Sequence, residues 1–244
     1  MKCRVCYLNN NVKEIDEEII EESPFLLRIN QSERVLLRTP TSLEDDKALA
    51  VGICFTEGLI RKIDDIHCIH VEKDKARLRI NENKDIDNDI FNKTIKLALI
   101  KDKDRSIGLD ELLRCMDIME SNQFLRKKTR ASHAAMLFSY DLTPMYVAED
   151  VGRHNAFDKV IGMALLNNRL EDIYLATLSS RISFEMAKKG AIAGIKVLMG
   201  ISRPTSMAIL LAKRIGMTIV TLTKEGIIVF SNEKRIRDVK KGGL

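Results

Sequence analysis

Beyond residue 129, strand-like apolar runs begin near Met145, Ile173, Lys196 and Met217, and a helical segment separates each from the next. Repeated strand–helix–strand units imply a mostly parallel sheet with right-handed crossovers, because parallel neighbours can be joined only by a long connection that packs back onto the sheet. In such a sheet the strands end at one edge, and ligands bind in the crevice outside those ends. The polar residues that follow each run are therefore expected on one side of the molecule.

The densest of these polar turns is Glu149-Asp150-Val151-Gly152-Arg153-His154-Asn155-Ala156-Phe157-Asp158-Lys159-Val160-Ile161-Gly162. Met145 to Ala148 reads as a short buried strand before it, and Ala156, Phe157, Val160, Ile161, Ala164 and Leu165 recur at helical spacing after it. A helix start offers free backbone amides and partial positive charge to an anion. Arg153, His154 and Lys159 would add donors there, and Asp150 and Asp158 could orient those cations or accept from a base or ribose. The plainer account is a capped helix start, with Asp150 or Asn155 as the cap and the rest a solvated face. A cap needs one such residue, so a ligand site is the stronger reading. Ser179-Ser180-Arg181-Ile182-Ser183, Ser202-Arg203-Pro204-Thr205-Ser206 and Thr221-Leu222-Thr223-Lys224 follow the next three runs. Hydroxyls and cations at Arg181, Ser183, Thr205, Ser206 and Lys224 suit a phosphate-bearing ligand, although each turn alone would only cap a helix.

Composition narrows the alternatives. The chain has 244 residues, 45% of them hydrophobic, enough for one large or two modest domains with proper cores. Its longest apolar runs are too short to cross a bilayer, and the N-terminus lacks a secretory signal, so a cytoplasmic location is expected. A net charge of +5, eight Phe, four Tyr and no Trp give little support to nucleic-acid binding. The basic run near residues 234–241 reads as a solvated end.

Five cysteines, an odd number, argue against a disulfide framework. Cys3 and Cys6 form a C-x-x-C pair in an expected N-terminal tail, spaced for a redox pair or half of a metal site. No second C-x-x-C completes a zinc site. His67, Cys68 and His70 fall on an expected strand whose alternation sends His67 and Cys68 to opposite faces, so no metal is expected. Cys54 and Cys115 lie in or beside apolar helical runs and read as core. His70-Val71-Glu72 matches half of the zinc-deaminase signature, with no P-C-x-x-C after it.

Before residue 105 the pattern differs. Short strands are expected at Phe25 to Ile29, Arg34 to Leu37, Ile66 to Val71 and Lys75 to Ile80. A helix capped by Thr41 or Ser42 would turn Leu49, Ile53 and Cys54 inward. The charged stretch from Asn81 to Asp104 is the expected junction between an α+β region, residues 1–104, and an α/β ligand-binding core, residues 105–244. Leu109, Leu112, Leu113, Met116 and Met119 form one helical apolar face.

The run from Glu149 to Gly162, with Arg38-Thr39-Pro40, Leu49-Ala50-Val51-Gly52 and Phe55-Thr56-Glu57-Gly58, resembles the formate dehydrogenase accessory sulfurtransferase family, FdhD, over residues 23–231. The resemblance implies a cytidine-deaminase-like α/β core with an added N-terminal region. It also implies that sulfur is taken from a cysteine desulfurase as a persulfide and passed to the molybdenum bis(guanine dinucleotide) cofactor, bound transiently, before insertion into formate dehydrogenase. His133 matches the histidine of the family's Thr-Gly-Gly-x-His segment and joins the expected cofactor-binding residues, but Arg130-Ala131 replaces its glycines. Ser180 and Arg203 stand where the family has glycine and alanine. The family's carrier C-x-x-C has no counterpart between Asn81 and Gly108, which leaves the catalytic residues unassigned. Three readings stay open: a sulfurtransferase using Cys3 or Cys6 on a flexible arm, a cofactor carrier without sulfur transfer, and another nucleotide-binding enzyme on the same scaffold. A homodimer is an open option.

Overall fold

The computed structural model describes residues 2–6, 12–30, 37–41, 45–72, 75–81 and 105–237. The expected junction, apart from Asn81, and the strand expected from Arg34, apart from Leu37, lie outside these residues.

Strands β1 (Lys2–Cys6) and β2 (Val12–Asp16) pair antiparallel with each other, so Cys3 and Cys6 belong to a hairpin strand and not to a tail. Strands β3 (Ser23–Ile29), β4 (Leu37–Thr41), β5 (Ile66–Glu72) and β6 (Lys75–Ile80) form a four-stranded sheet in the order β4-β3-β6-β5. Helix α1 (Asp46–Thr56) connects its two halves. Thr41 ends β4 and does not cap α1; Asp45 takes that position with left-handed backbone and no side-chain cap bond. Every residue from Ala48 to Thr56 is buried, as expected of a helix that is apolar all round.

Helices α2 (Leu109–Ser121) and α3 (Phe124–Thr129) follow, then β7 (His133–Ser139), β8 (Pro144–Asp150), α4 (Arg153–Leu166), β9 (Ile173–Leu178), α5 (Phe184–Ile192), β10 (Val197–Ile201), α6 (Ser206–Ile215), β11 (Thr218–Thr223) and β12 (Gly226–Val229). Six strands form one sheet in the order β12-β11-β10-β9-β7-β8. Only β9-β10 and β10-β11 pair in parallel; β7-β8, β7-β9 and β11-β12 are antiparallel. The expected mostly parallel sheet is corrected to a mixed one. The reason is β7, which turns back through residues 140–143 into β8 and occupies the place between β8 and β9. Strands β8 to β11 nevertheless all point the same way, so their carboxyl ends still share an edge, joined there by the amino end of β7. At the sheet margin β8 is half-buried, not fully buried as its apolar run suggested.

One core lies between the two sheets. It joins Phe25, Leu27 and Leu78 of the small sheet to α1, α4, α5 and α6 and to Ala135, Leu137, Leu178 and Leu198 of the large one. The described residues of β3, α1, β6 and those of the large sheet and its helices thus contribute to a single apolar interior. A second core packs α2 through Leu112, Cys115, Met116 and Met119 onto the opposite face of the large sheet. Leu113, assigned to that helix face by periodicity, is 36% exposed.

Helices α1 and α4 cross with their backbones in contact. A Cβ on Gly52 would sit 1.9 Å from the Asp158 carbonyl oxygen, and one on Gly162 would sit 1.9 Å from that of Ala48. Only glycine permits this approach. It fixes α1, and with it Thr56 and Glu57, beside the start of α4.

Candidate functional site

The dense polar turn divides according to which side of α4 each residue occupies. Asp150 and Lys159 are fully buried and paired at 2.7 Å, and Asp150 Oδ1 accepts from the Gly152 amide at 2.9 Å and from Asn155 Nδ2 at 3.0 Å. Asp158, on the opposite side, accepts two 2.8 Å bonds from Lys189 Nζ and one of 2.8 Å from the Thr56 hydroxyl. Burial pushes the Asp158 carboxyl up, while Lys189 and Thr56 pull it back. Asp150, Asn155, Asp158 and Lys159 therefore face inward and tie β8, α4, α1 and α5 together. This narrows the ligand-facing set expected from the run.

Glu149 faces α3. Its carboxylate accepts from the Leu125 amide at 2.6 Å, the Arg126 amide at 2.8 Å and the Ser132 hydroxyl at 2.8 Å, so it holds the start of α3 against β8. This brings Arg126 and Lys127 to the sheet edge. Neither had been singled out in the sequence; the signal was the basic triplet Arg126-Lys127-Lys128 just ahead of His133.

Arg153 and His154 open α4 and are half-buried. Burial and the charges of Arg153 and Lys189 push the His154 imidazole down to about 4. His133, half-buried at the start of β7, is also pushed down by burial, Arg126 and Arg153. Both histidines are thus held neutral in a basic environment. Ser179, at the end of β9, donates or accepts at 3.4 Å from His133 Nδ1 and accepts from the Ala134 amide at 2.8 Å. Next to it opens a cleft of about 500 Å³ lined by Glu120, Gln123, Arg126, Lys127, Arg130, Ser179 and Ile201. Arg130 occupies left-handed backbone (φ 56°) at the end of α3, so the conformation that glycine would supply is kept by arginine, whose side chain lines the cleft.

Two buried donors along this edge lack a hydrogen-bond partner: Arg153 Nε and the Ser183 hydroxyl at the N-cap position of α5. Buried polar atoms are seldom left so, and a ligand accepting from them would remove the penalty. The other expected residues play smaller parts. Thr205 caps α6, accepting from the Ala208 amide at 3.4 Å. Arg181, Ser206 and Lys224 are exposed, Lys224 in the β11–β12 turn. Ser180 is buried and donates to the Arg181 carbonyl at 3.2 Å, and Arg203 is exposed.

The remaining thiols are spread through the molecule. Cys54 and Cys115 are buried, and burial pushes their thiols up to about 12 and about 11, which removes them from thiolate chemistry. Cys68 is exposed on β5. Among the described residues no group of three or more metal-ligating side chains converges, and no helix is long and apolar enough to cross a membrane.

The sequence model of the FdhD/NarQ family matches residues 20–237. The chain belongs to the FdhD/NarQ family. Relatives named sulfur carrier protein FdhD include one from Sulfurisphaera tokodaii, 28% identical over 96% of this chain and 98% of that protein. Another, from Picrophilus torridus, is 30% identical over 92% and 94%. A solved structure described as a formate dehydrogenase accessory protein, from Desulfotalea psychrophila, superposes with a TM-score of 0.82 at 26% identity over 97% of both chains.

Proposed function

We propose that this FdhD-family chain is a cytoplasmic accessory protein for formate dehydrogenase maturation, binding the molybdenum bis(guanine dinucleotide) cofactor as cargo at the carboxyl edge of the large sheet. The observation that carries the reading is the cleft beside Ser179, where Arg126, Lys127 and Arg130 present three cations next to two neutral histidines and the unpartnered Arg153 Nε. A pyrophosphate-bearing ligand supplies the acceptor that Arg153 Nε lacks and the negative charge that the neighbouring cations attract. His133 and His154, being neutral, can accept as well as donate, which suits contact with a nucleotide's own donors. Arg181, Ser183 and Ser206 line the approach along the same edge.

A carrier of the cofactor without sulfur transfer is the second reading. It is favoured by the absence of cysteine between Asn81 and Gly108 and by the inert burial of Cys54 and Cys115. In the first reading, a thiolate at Cys3 or Cys6 attacks the terminal sulfur of a desulfurase persulfide, releasing the donor's thiolate and becoming the persulfide itself.

Calorimetric titration with guanosine diphosphate tests the site. Binding that weakens in Arg153→Ala and in Arg126→Ala supports it, and unchanged affinity in both removes it. Intact mass after incubation with a cysteine desulfurase and cysteine separates the two readings. One added reducible sulfur, lost in a Cys3→Ser, Cys6→Ser variant and kept in Cys68→Ser, supports the sulfurtransferase. No gain, with the desulfurase active on a control acceptor, supports the carrier.

A further inference from the structure

The carboxyl edge of the large sheet is crowded with donors, and a nucleotide brings donors of its own. Arg126, Lys127 and Arg130 line the cleft, and Arg153 Nε and the Ser183 hydroxyl lack a partner. Such a set answers phosphate oxygens. It does not answer a guanine base, whose Watson–Crick edge presents two adjacent donors, N1–H and N2–H2. The complement of two adjacent donors is a carboxylate, whose oxygens only accept.

Most carboxylates near this edge are already engaged. Asp150 and Asp158 are buried and hydrogen-bonded within the protein, and Glu149 accepts from three donors around the start of α3. Glu120 lies in the cleft among the cations, where phosphate is expected. Glu57 is placed differently. It is the C-cap residue of α1, and Lys188 and Lys189 of α5 flank its two oxygens at 3.7 Å and 3.6 Å. Those distances attract without making hydrogen bonds, so the carboxylate is held in place while its lone pairs stay open. Its side chain is 45% exposed.

Helical phase sets Glu57 beside the open end of α4. Asp158 accepts from the Thr56 hydroxyl at 2.8 Å, and His154, four residues earlier on α4, shares that face one turn nearer the sheet edge. Glu57 follows Thr56 directly. Burial, Arg153 and Lys189 push the His154 imidazole down, and Glu57 opposes them. His133 in turn feels Arg126 and Arg153. A row thus runs from the cations of the cleft, through two histidines, to a carboxylate at its far end.

We infer that Glu57 selects guanine, its two oxygens accepting from N1–H and N2–H2 of the base while the pyrophosphate lies towards Arg126 and Lys127. This assignment rests on the cofactor reading proposed above and adds a base specificity to it. Hypoxanthine keeps N1–H but lacks the amino group, so one bond of the pair is lost. Adenine sets a ring acceptor against a carboxylate oxygen, lone pair to lone pair.

Calorimetric titration with guanosine, inosine and adenosine diphosphates reads the preference directly. Guanosine diphosphate is expected to bind at least about tenfold more tightly than inosine diphosphate, with adenosine diphosphate weaker still. Glu57→Gln replaces one acceptor by a donor and should narrow the guanosine-to-inosine ratio to within about threefold. Glu185→Gln, beside the same Lys188, should leave that ratio unchanged, and circular dichroism checks the fold of each variant. Equal affinity for the three nucleotides, a ratio that survives Glu57→Gln, or one that collapses in Glu120→Gln instead overturns the inference. Guanosine diphosphate that weakens in Arg153→Ala but keeps its preference in Glu57→Gln sinks the role of Glu57 alone. Failure of all three nucleotides to bind the wild type removes the proposed site and this inference together.

Discussion

Helix α4 carries two sets of polar side chains with opposite fates. Asn155, Asp158 and Lys159 lie inside the protein, in pairs reaching β8, α1 and α5, whereas Arg153 and His154 at the start of the helix stand half-open at the sheet edge. Chemically the two sets are alike. What separates them is what packs around each: Asn155 and Lys159 turn towards Asp150 of β8 and Asp158 towards α1 and α5, while Arg153 and His154 stand at the half-open start of the helix. A buried charge must find a partner within the protein, whereas a half-open one does not. The buried set therefore holds the frame that aims the open set.

The sharpest way to break this contrast is to unpair a buried charge. Lys159→Ala removes the countercharge of the buried Asp150 carboxylate and should cost about 3–5 kcal/mol, read from the denaturant midpoint of unfolding. Lys189→Ala should be similarly severe for Asp158. If either variant unfolds like wild type, the inward pairs do not carry the frame.

On the open side the opposite pattern is expected. Arg153→Ala should change stability by less than about 0.5 kcal/mol while weakening guanosine diphosphate about tenfold, or about 1.4 kcal/mol. A stability loss as large as that of Lys159→Ala would place Arg153 with the buried set.

Arg130 sharpens the comparison because it is asked to do both things. Its left-handed backbone strains the end of α3 while its side chain lines the cleft. Arg130→Gly should raise stability by about 0.5–1 kcal/mol and lower ligand affinity, and a variant that gains in both measures would remove Arg130 from the site.

The smallest expected effect is a pH dependence. The folded-state value of His154, about 4, lies below the ordinary 6.5, so the unfolded chain binds a proton that the folded chain refuses. Stability contributed by this group is complete above about 6.5 and falls as pH drops towards about 4, with partial solvent exposure reducing its size. His154→Gln should flatten that slope. A bound anion opposes the surrounding cations and raises both imidazoles, so nucleotide binding should tighten between pH 7 and 5 with proton uptake. Calorimetry in buffers of differing ionisation enthalpy measures that uptake, and none at pH 6 would separate the histidines from the ligand.

Much of the fold was legible in residue patterns. The apolar runs at Ile173, Val197 and Thr218 are strands, and the helical segments between them are helices, as run length and their alternation placed them. Strand β7 was not legible. Ala134 to Phe138 is one continuous buried apolar run, and such a run does not by itself distinguish a central strand from a piece of helix. The bounding signals were Ser139 and the Asp141 to Pro144 turn. The position of α1 was misjudged because hydroxyls at Thr41 and Ser42 resemble a cap, while Asp45 starts the helix through backbone shape alone.

The run from Glu149 to Lys159 stood out in the sequence because core packing does not call for so many charges at one strand end. Which of them are buried was not legible, since helical phase places Asp158 and Lys159 on different sides of α4 but does not say what lies on either side. The cleft is likewise tertiary: Arg126 and Lys127 reach it only because Glu149, more than twenty residues away, holds the start of α3. Local spacing determined most of the strands and helices of the large sheet and the edge at which their polar ends gather. That Asp158 holds the protein while Arg153 and His154 stand half-open was decided by α1 lying across α4 and bringing Thr56 to Asp158, a contact between residues about a hundred positions apart that no local period encodes.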